Sequence, residues 1–293
     1  MTSRQGYGQI LREFEVSPKK RLGQHFMIDP GLLRTVATLM LPDGFAWVAL
    51  ELGSGIGTLT RELCGRAEWV YAVEKDRDLS GAAARMTGSL PNLTWIWGDA
   101  LEADLTGDGL RQDHPESELA LVGNLPYYLT SDLLYRALIP RTPWRRLAFV
   151  VQEEVGERMA GRAGTGDFGR LSLWCQYRAE ITLEKRLPAG CFVPKPDVGS
   201  CVVSLDMSDY FPLSEEREGF LDAVSRSAFS KRRKTLANGL TEVIPDKEAV
   251  IAALKNAGVD PAARPQDLGV EGFVAVVEAL WPLRHLSNRN SLS

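Results

Sequence analysis

Asn124-Leu125-Pro126-Tyr127 places a carboxamide, a stiff dipeptide and an aromatic ring within four residues. Those types suit one difficult reaction, the activation of an exocyclic adenine amine. Such an amine is a poor nucleophile because its lone pair is delocalised into the ring. The Asn124 side-chain oxygen and the backbone carbonyl of Leu125 or Pro126 can each accept one amino hydrogen. Together they would hold the nitrogen in line for attack and favour its pyramidal geometry. Tyr127 offers a face for the base, and such stacking contributes about 1–3 kcal/mol in single-strand recognition. No general base is needed beforehand, because the proton leaves after the nitrogen has become cationic. Taken alone, the tetrapeptide is equally a strand-ending turn, since Asn and Pro are common turn residues.

Its neighbours in the sequence distinguish it from a turn. Gly53, Gly55 and Gly57 follow an apolar run, where glycine lets the backbone turn sharply and approach a ligand. They depart from the dinucleotide fingerprint, because Thr58 occupies the third glycine position. Glu74 lies 21 residues beyond Gly53 and can accept from both ribose hydroxyls; Asp99, in Gly98-Asp99-Ala100, can accept from an adenine amine. Residues 41–122 carry net charge −8. A pyrophosphate would call for positive potential there, whereas a sulfonium cation would not. These features favour S-adenosyl-L-methionine over NAD.

Presenting these groups together requires a sheet. Strands are expected at 46–50, 69–74, 93–97, 119–124 and 146–151. Helices are expected between them at 58–64, 79–86 and 130–138, after a first helix from Asp29-Pro30 to Met40. The alternation predicts an α/β, Rossmann-like methyltransferase sheet, mostly parallel with helices on both faces. Residues 171–183 and 200–206 are expected as late strands. From Ser214 the pattern is helical, at 214–229, 246–257 and 271–280, with Gly258 as a C-cap. The expected division is a cofactor-binding catalytic domain over 1–211, a small all-helical RNA-binding domain over 212–283, and a disordered tail over 284–293.

The 293 residues, 44% hydrophobic and 25% charged, have an ordinary globular composition. No apolar run reaches the ~18 residues of a membrane helix, and no secretory signal is visible, so a cytoplasmic protein with no membrane partner is expected. Four cysteines without a C-x-x-C pair and three scattered histidines argue against disulfides and against a metal site. The overall charge of −4 conceals a basic N-terminal stretch, Lys19, Lys20 and Arg21, and a cluster of Arg226 with Lys231, Arg232, Arg233 and Lys234. Charge runs are usually solvated helix faces. Opening a helical domain beside a base-modifying core, this one is expected to bind RNA phosphates.

The chain resembles the rRNA adenine N6,N6-dimethyltransferases of the KsgA/RsmA type over about residues 17–281. The shared motifs include Lys19 to Phe26, Glu51 to Thr60, Val73-Glu74, Gly98 to Leu101 and Asn124 to Tyr127. They continue through Val151 to Val155, Phe168 to Ser172, Cys191 to Pro196 and Arg232 to Leu236. The resemblance implies ribosome biogenesis: dimethylation of two adjacent adenosines in the 3′-terminal hairpin of small-subunit (16S) rRNA, within a 30S precursor, by a monomer. It implies that Gln24, His25, Met27, Lys75 and Ala100 join Gly53, Gly55, Gly57, Glu74, Asp99 and Asn124 around the cofactor. It also implies that Phe192 is the wall opposite Tyr127, on the principle that an enzyme modifying a base clamps it outside the stack. Glu153 stands where the family usually has a basic residue, Asp197-Val198-Gly199-Ser200 replaces its Lys-Val-Asp-Ser, and Ala237 and Gly239 replace a basic residue and a serine. These departures are expected to weaken RNA binding rather than chemistry. Competing readings are a large-subunit rRNA adenine methyltransferase of the macrolide-resistance type, a DNA adenine methyltransferase, and a non-catalytic RNA-binding or assembly factor. Leu125 weighs against the DNA enzymes, which carry Pro-Pro-Tyr after Asn or Asp.

Overall fold

The computed structural model describes residues 4–286. It separates into two compact units: residues up to Gly156 with Glu180–Met207, and Glu157–Ala179 with residues from Ser208 onward. The first unit starts with helix α1 (Arg4–Glu13) and a short strand β1 (Phe26–Met27). Helix α2 (Pro30–Met40) follows; Asp29 caps it by accepting from the Leu32 N–H, and Pro30 presets the first turn. Strands β2 (Trp47–Leu52), β3 (Trp69–Glu74), β4 (Leu93–Trp97), β5 (Glu118–Asn124) and β6 (Trp144–Gln152) alternate with helices α3 (Thr58–Cys64), α4 (Ser80–Thr87), α5 (Asp108–Asp113) and α6 (Thr130–Leu138). All six residues of β2 are buried, as expected of a parallel strand covered on both faces.

Helix α7 (Glu153–Met159) leads into the second unit, where helix α8 (Arg170–Arg178) lies; β7 (Ala179–Leu187) returns the chain to the first. There β8 (Phe192–Val193) pairs antiparallel with β1, and β9 (Ser200–Met207) pairs antiparallel with β6. The seven-stranded order is β4-β3-β2-β5-β6-β9-β7. The β2 to β6 pairings are parallel. The order reverses between β2 and β5, so their carboxyl ends open a crevice at the switch point. The expected mostly parallel sheet is the one observed.

Residues 171–178 are helical rather than extended. Leu171, Leu173, Trp174, Cys175 and Tyr177 are all buried, so α8 has no polar stripe from which a 3.6-residue period could be read. Its start is held by the Ser172 hydroxyl, which accepts from the Gly169 N–H. Its end is held by Arg178, which donates to both oxygens of Glu218 at 3.0 and 2.9 Å. Tertiary contact overrides the β-preference of Trp and Tyr. These ties also explain why residues 157–179 cluster with the helical unit, whereas a single boundary near 211 was expected.

The rest of that unit is helical: α9 (Glu215–Ser230), α10 (Leu236–Gly239), α11 (Lys247–Asn256) and α12 (Gly269–Leu280). Phe229 stacks on Phe273 and meets Phe168. Gly258 follows α11 at φ +72°, the left-handed conformation that ends helices. Residues 284–286 close a 3₁₀ segment, and the tail expected to be disordered otherwise lies outside the described residues. Among the described residues no helix is long and apolar enough to cross a membrane, and no cluster of His, Cys, Asp or Glu could hold a metal.

Candidate active site

A crevice of the first unit lies at the switch point. Four strand ends reach it: the glycine loop after β2, Glu74 at the end of β3, Asp99 beyond β4, and Asn124 at the end of β5. Gln24, His25, Met27, Lys75, Ala100, Leu125, Pro126 and Tyr127 complete its lining with Glu51, Ser54 and Tyr128. Gly53 and Gly55 take φ +71° and +58°. A Cβ on Gly55 would fall 3.0 Å from the Phe26 ring, and one on Gly53 3.5 Å from the Asn124 carbonyl. Only glycine keeps this cradle shallow.

Glu74 is 7% exposed and holds the loop through its Oε2, which accepts from the Gly55 N–H at 2.8 Å. Its Oε1 accepts from the Asp76 N–H at 2.7 Å. Burial pushes the carboxyl above its ordinary range. Each oxygen retains a lone pair for a ribose hydroxyl. Asp99 accepts from Lys75 Nζ at 2.5 Å and from the Leu101 N–H at 3.0 Å. Lys75 holds its carboxyl below the usual range, keeping it an acceptor for an amine. Lys75 thus acts through Asp99, and its own ammonium is occupied.

Asn124 shows how the chain aims a side chain. Its Nδ2 donates to the His25 carbonyl at 2.9 Å, which leaves Oδ1 as the free acceptor of the amide. The Pro126 carbonyl already accepts from the Leu129 N–H (2.9 Å) and the Thr130 hydroxyl (3.3 Å). Of the two carbonyls anticipated as partners for the amine, Leu125 is therefore the one with its oxygen uncommitted among the described residues. Tyr127 is anchored through its hydroxyl to Ser200 Oγ at 2.8 Å.

Two expected site residues stand elsewhere. Phe192 is 2% exposed and packs in the core, because the β1–β8 ladder pairs it with Met27; it does not line the crevice. The ring beside Tyr127 is that of His25, with centroids 5.6 Å apart and planes at 22°. Gly57 starts α3 at φ +82°, and a Cβ there would meet Thr87 at 2.8 Å, so it serves helix packing rather than ligand contact.

Glu51 is the residue that motif reasoning passed over. It is 1% exposed, accepts from the Thr60 hydroxyl at 2.5 Å, and burial pushes its carboxyl up to about 7. No cation pairs with it among the described residues. The signal was a single carboxylate in an otherwise apolar strand, which is costly unless a ligand requires it.

The basic residues divide. Lys19 is engaged with Asp76 and Asp78, Arg226 with Asp222, and Lys231 with Glu242. Arg232 donates to the Gly166 and Phe168 carbonyls and braces the second unit. Arg21, Arg233 and Lys234 are exposed; the Lys20 side chain lies outside the described residues. The departures from the family pattern are structural as well. Glu153 pairs with Arg186, and its Oε2 lies 3.0 Å from where a Cβ on Gly199 would stand, so a side chain there would have to displace the carboxylate slightly. Ala237 is 3% exposed, and the Gly239 carbonyl accepts from the Ser227 hydroxyl at 2.6 Å, so both positions face the interior.

An open α/β sheet thus brings a glycine turn, the Glu74 and Asp99 carboxylates and the oriented Asn124 carboxamide to one crevice. The model of the family described as ribosomal RNA adenine dimethylase matches residues 16–280. A ribosomal RNA small subunit methyltransferase A from Anoxybacillus flavithermus is 36% identical over 279 residues, 94% of each chain. One from Moorella thermoacetica is 35% identical over 280 residues, 92% of this chain and 95% of its own. Among solved structures, a dimethyladenosine transferase from Plasmodium falciparum superposes with TM-score 0.72 at 20% identity, covering 90% of this chain and 99% of its own. The 23S rRNA methyltransferase ErmE superposes at 0.64 and 24%, covering 87% and 99%. At those identities the superpositions establish the fold alone.

The chain belongs to the ribosomal RNA adenine dimethylase family. It is an enzyme, and its methyl donor is S-adenosyl-L-methionine. The residues present fit that cofactor: the cradle is too shallow for side chains, and the acidic lining suits a cation.

Proposed function

We propose that this enzyme dimethylates the N6 amines of two adjacent adenosines in the 3′-terminal hairpin of small-subunit rRNA. It would act as a monomer on a 30S precursor in the cytoplasm, consuming four cofactor molecules per pair. The observation that carries the reading is the aim of Asn124, set by the His25 carbonyl, beside the uncommitted Leu125 carbonyl. Those two acceptors take one amino hydrogen each and hold the nitrogen toward the cofactor end of the crevice. When bound, S-adenosylmethionine supplies an electrophilic methyl group. The base stacks on Tyr127, whose hydroxyl is fixed by Ser200 so that the ring keeps its orientation. The acidic lining favours a cation, and Arg21, Arg233 and Lys234 are the exposed groups suited to phosphate.

The small-subunit target is supported by near full-length relatives carrying that description. The test is methyl transfer from labelled cofactor to unmodified 30S and 50S subunits, followed by nucleoside analysis. N6,N6-dimethyladenosine in the 30S reaction alone is expected. Transfer to 50S subunits alone would shift the target to the large subunit, and no transfer to either would refute the reading.

A further inference from the structure

Residues 22–27 line one side of the crevice as a strap, and their position is set at both ends. At the inner end the His25 carbonyl accepts from Asn124 Nδ2. At the outer end four groups close a ring. Lys19 Nζ donates to Asp76 Oδ1 at 2.5 Å, and the Lys19 N–H donates to Gln24 Oε1 at 2.8 Å. The Gln24 amide returns to Asp76 Oδ2 at 2.9 Å. Lys19 also reaches Asp78 at 2.6 Å. Asp76 continues inward through its N–H to Glu74, which holds the Gly55 N–H.

The burial of these groups is uneven in an informative way. The Asp76 side chain is 4% exposed, while Lys19 is 28% exposed. Burial works to raise the Asp76 carboxyl, and the hydrogen bonds from Lys19 and Gln24 overcome it and hold the carboxyl below its usual range. A carboxylate so enclosed needs a cation, and Lys19 is the one beside it among the described residues. An ammonium committed to two carboxylates is poorly placed to neutralise a phosphate.

We infer that Lys19 is a positioning residue: its ion pair with Asp76 clasps the strap over the cofactor and so sets cofactor affinity and the aim of Asn124. This replaces the phosphate contact that its place in a basic run suggested. The inference rests on the crevice being the cofactor site, and its test reads cofactor binding without RNA, so it stands apart from the choice of rRNA target.

The experiment compares Lys19→Met, Lys19→Arg, Asp76→Asn and the double variant Lys19→Met/Asp76→Asn in the full chain. Binding of S-adenosylhomocysteine is measured by calorimetry, and affinity for an RNA hairpin is measured across a salt titration. Lys19→Met and Asp76→Asn should each weaken cofactor-product binding about three- to tenfold. Lys19→Arg should retain it, which separates the clasp from misfolding. The double variant should lose no more than the worse single one, because both remove the same ring. The RNA salt slope of Lys19→Met should equal that of the unaltered protein. Unchanged cofactor binding in Lys19→Met, with a slope smaller by about 0.9, would make Lys19 a phosphate ligand and overturn the clasp. Losses that add in the double variant would overturn it too.

Discussion

Replacing Glu51 with glutamine tests whether the buried carboxylate of β2 is retained for a cationic ligand at the expense of stability. In the folded chain its carboxyl is raised from 4.5 to about 7, because burial disfavours the charge. A raised carboxyl binds a proton in the native state that the unfolded chain has already released. Stability from this group is therefore full below about pH 4.5 and lost as pH rises to about 7. About 2.5 pH units at about 1.4 kcal/mol each amounts to at most about 3–4 kcal/mol. Glutamine keeps the acceptor for the Thr60 hydroxyl and cannot ionise. Urea unfolding of the cofactor-free protein at pH 5, 6, 7 and 8 should show Glu51→Gln gaining on the unaltered chain with each step, reaching about 2–3 kcal/mol at pH 8. Calorimetry at pH 8 should show the opposite for S-adenosylmethionine, with weaker binding to the glutamine variant. Parallel stability curves across the pH range would refute the argument, as would a glutamine variant that binds the cofactor more tightly.

Asn124→Ala removes the aimed acceptor together with the inner tie of the strap, and should lower methyl transfer about 10²–10³-fold with a much smaller loss of S-adenosylhomocysteine affinity; full activity would reassign the amine contact. Arg233→Ala with Lys234→Ala should reduce the salt slope of RNA binding by about 1.8 without changing the melting temperature, as both side chains are exposed. Glu218→Ala leaves Arg178, 1% exposed, without the carboxylate it grips through both nitrogens, and should cost the helical unit about 3–5 kcal/mol in chemical denaturation.

The alternation of strands and helices was legible because each buried strand of the parallel sheet is a short apolar run ended by glycine or a polar residue. Strands β3 and β4 occupy the expected residues, as do helices α3 and α6. Helix α8 was not legible, since it is buried on nearly every side and carries no periodic signal. Helix α1 was hidden by Gly6 and Gly8, which lower helix propensity in an otherwise polar stretch. The strand-end positions of Gly53, Glu74, Asp99 and Asn124 followed from chemistry at fixed spacing, and the sheet brings all four to one crevice.

Residue types and their order by themselves determined a mostly parallel α/β sheet and the strand-end places of a glycine turn, two carboxylates and the Asn124–Tyr127 tetrapeptide. These are local properties: a glycine turn, a strand-end carboxylate and an apolar run are each written within a few residues. Tertiary structure alone decided which groups are already spent. It commits Lys19 to Asp76 and Arg232 to backbone carbonyls, hides Phe192 behind Met27, and points the Asn124 amide with a carbonyl 99 residues away. A side chain's charge is a fact of sequence, but its availability depends on partners that only the folded chain brings within hydrogen-bonding distance.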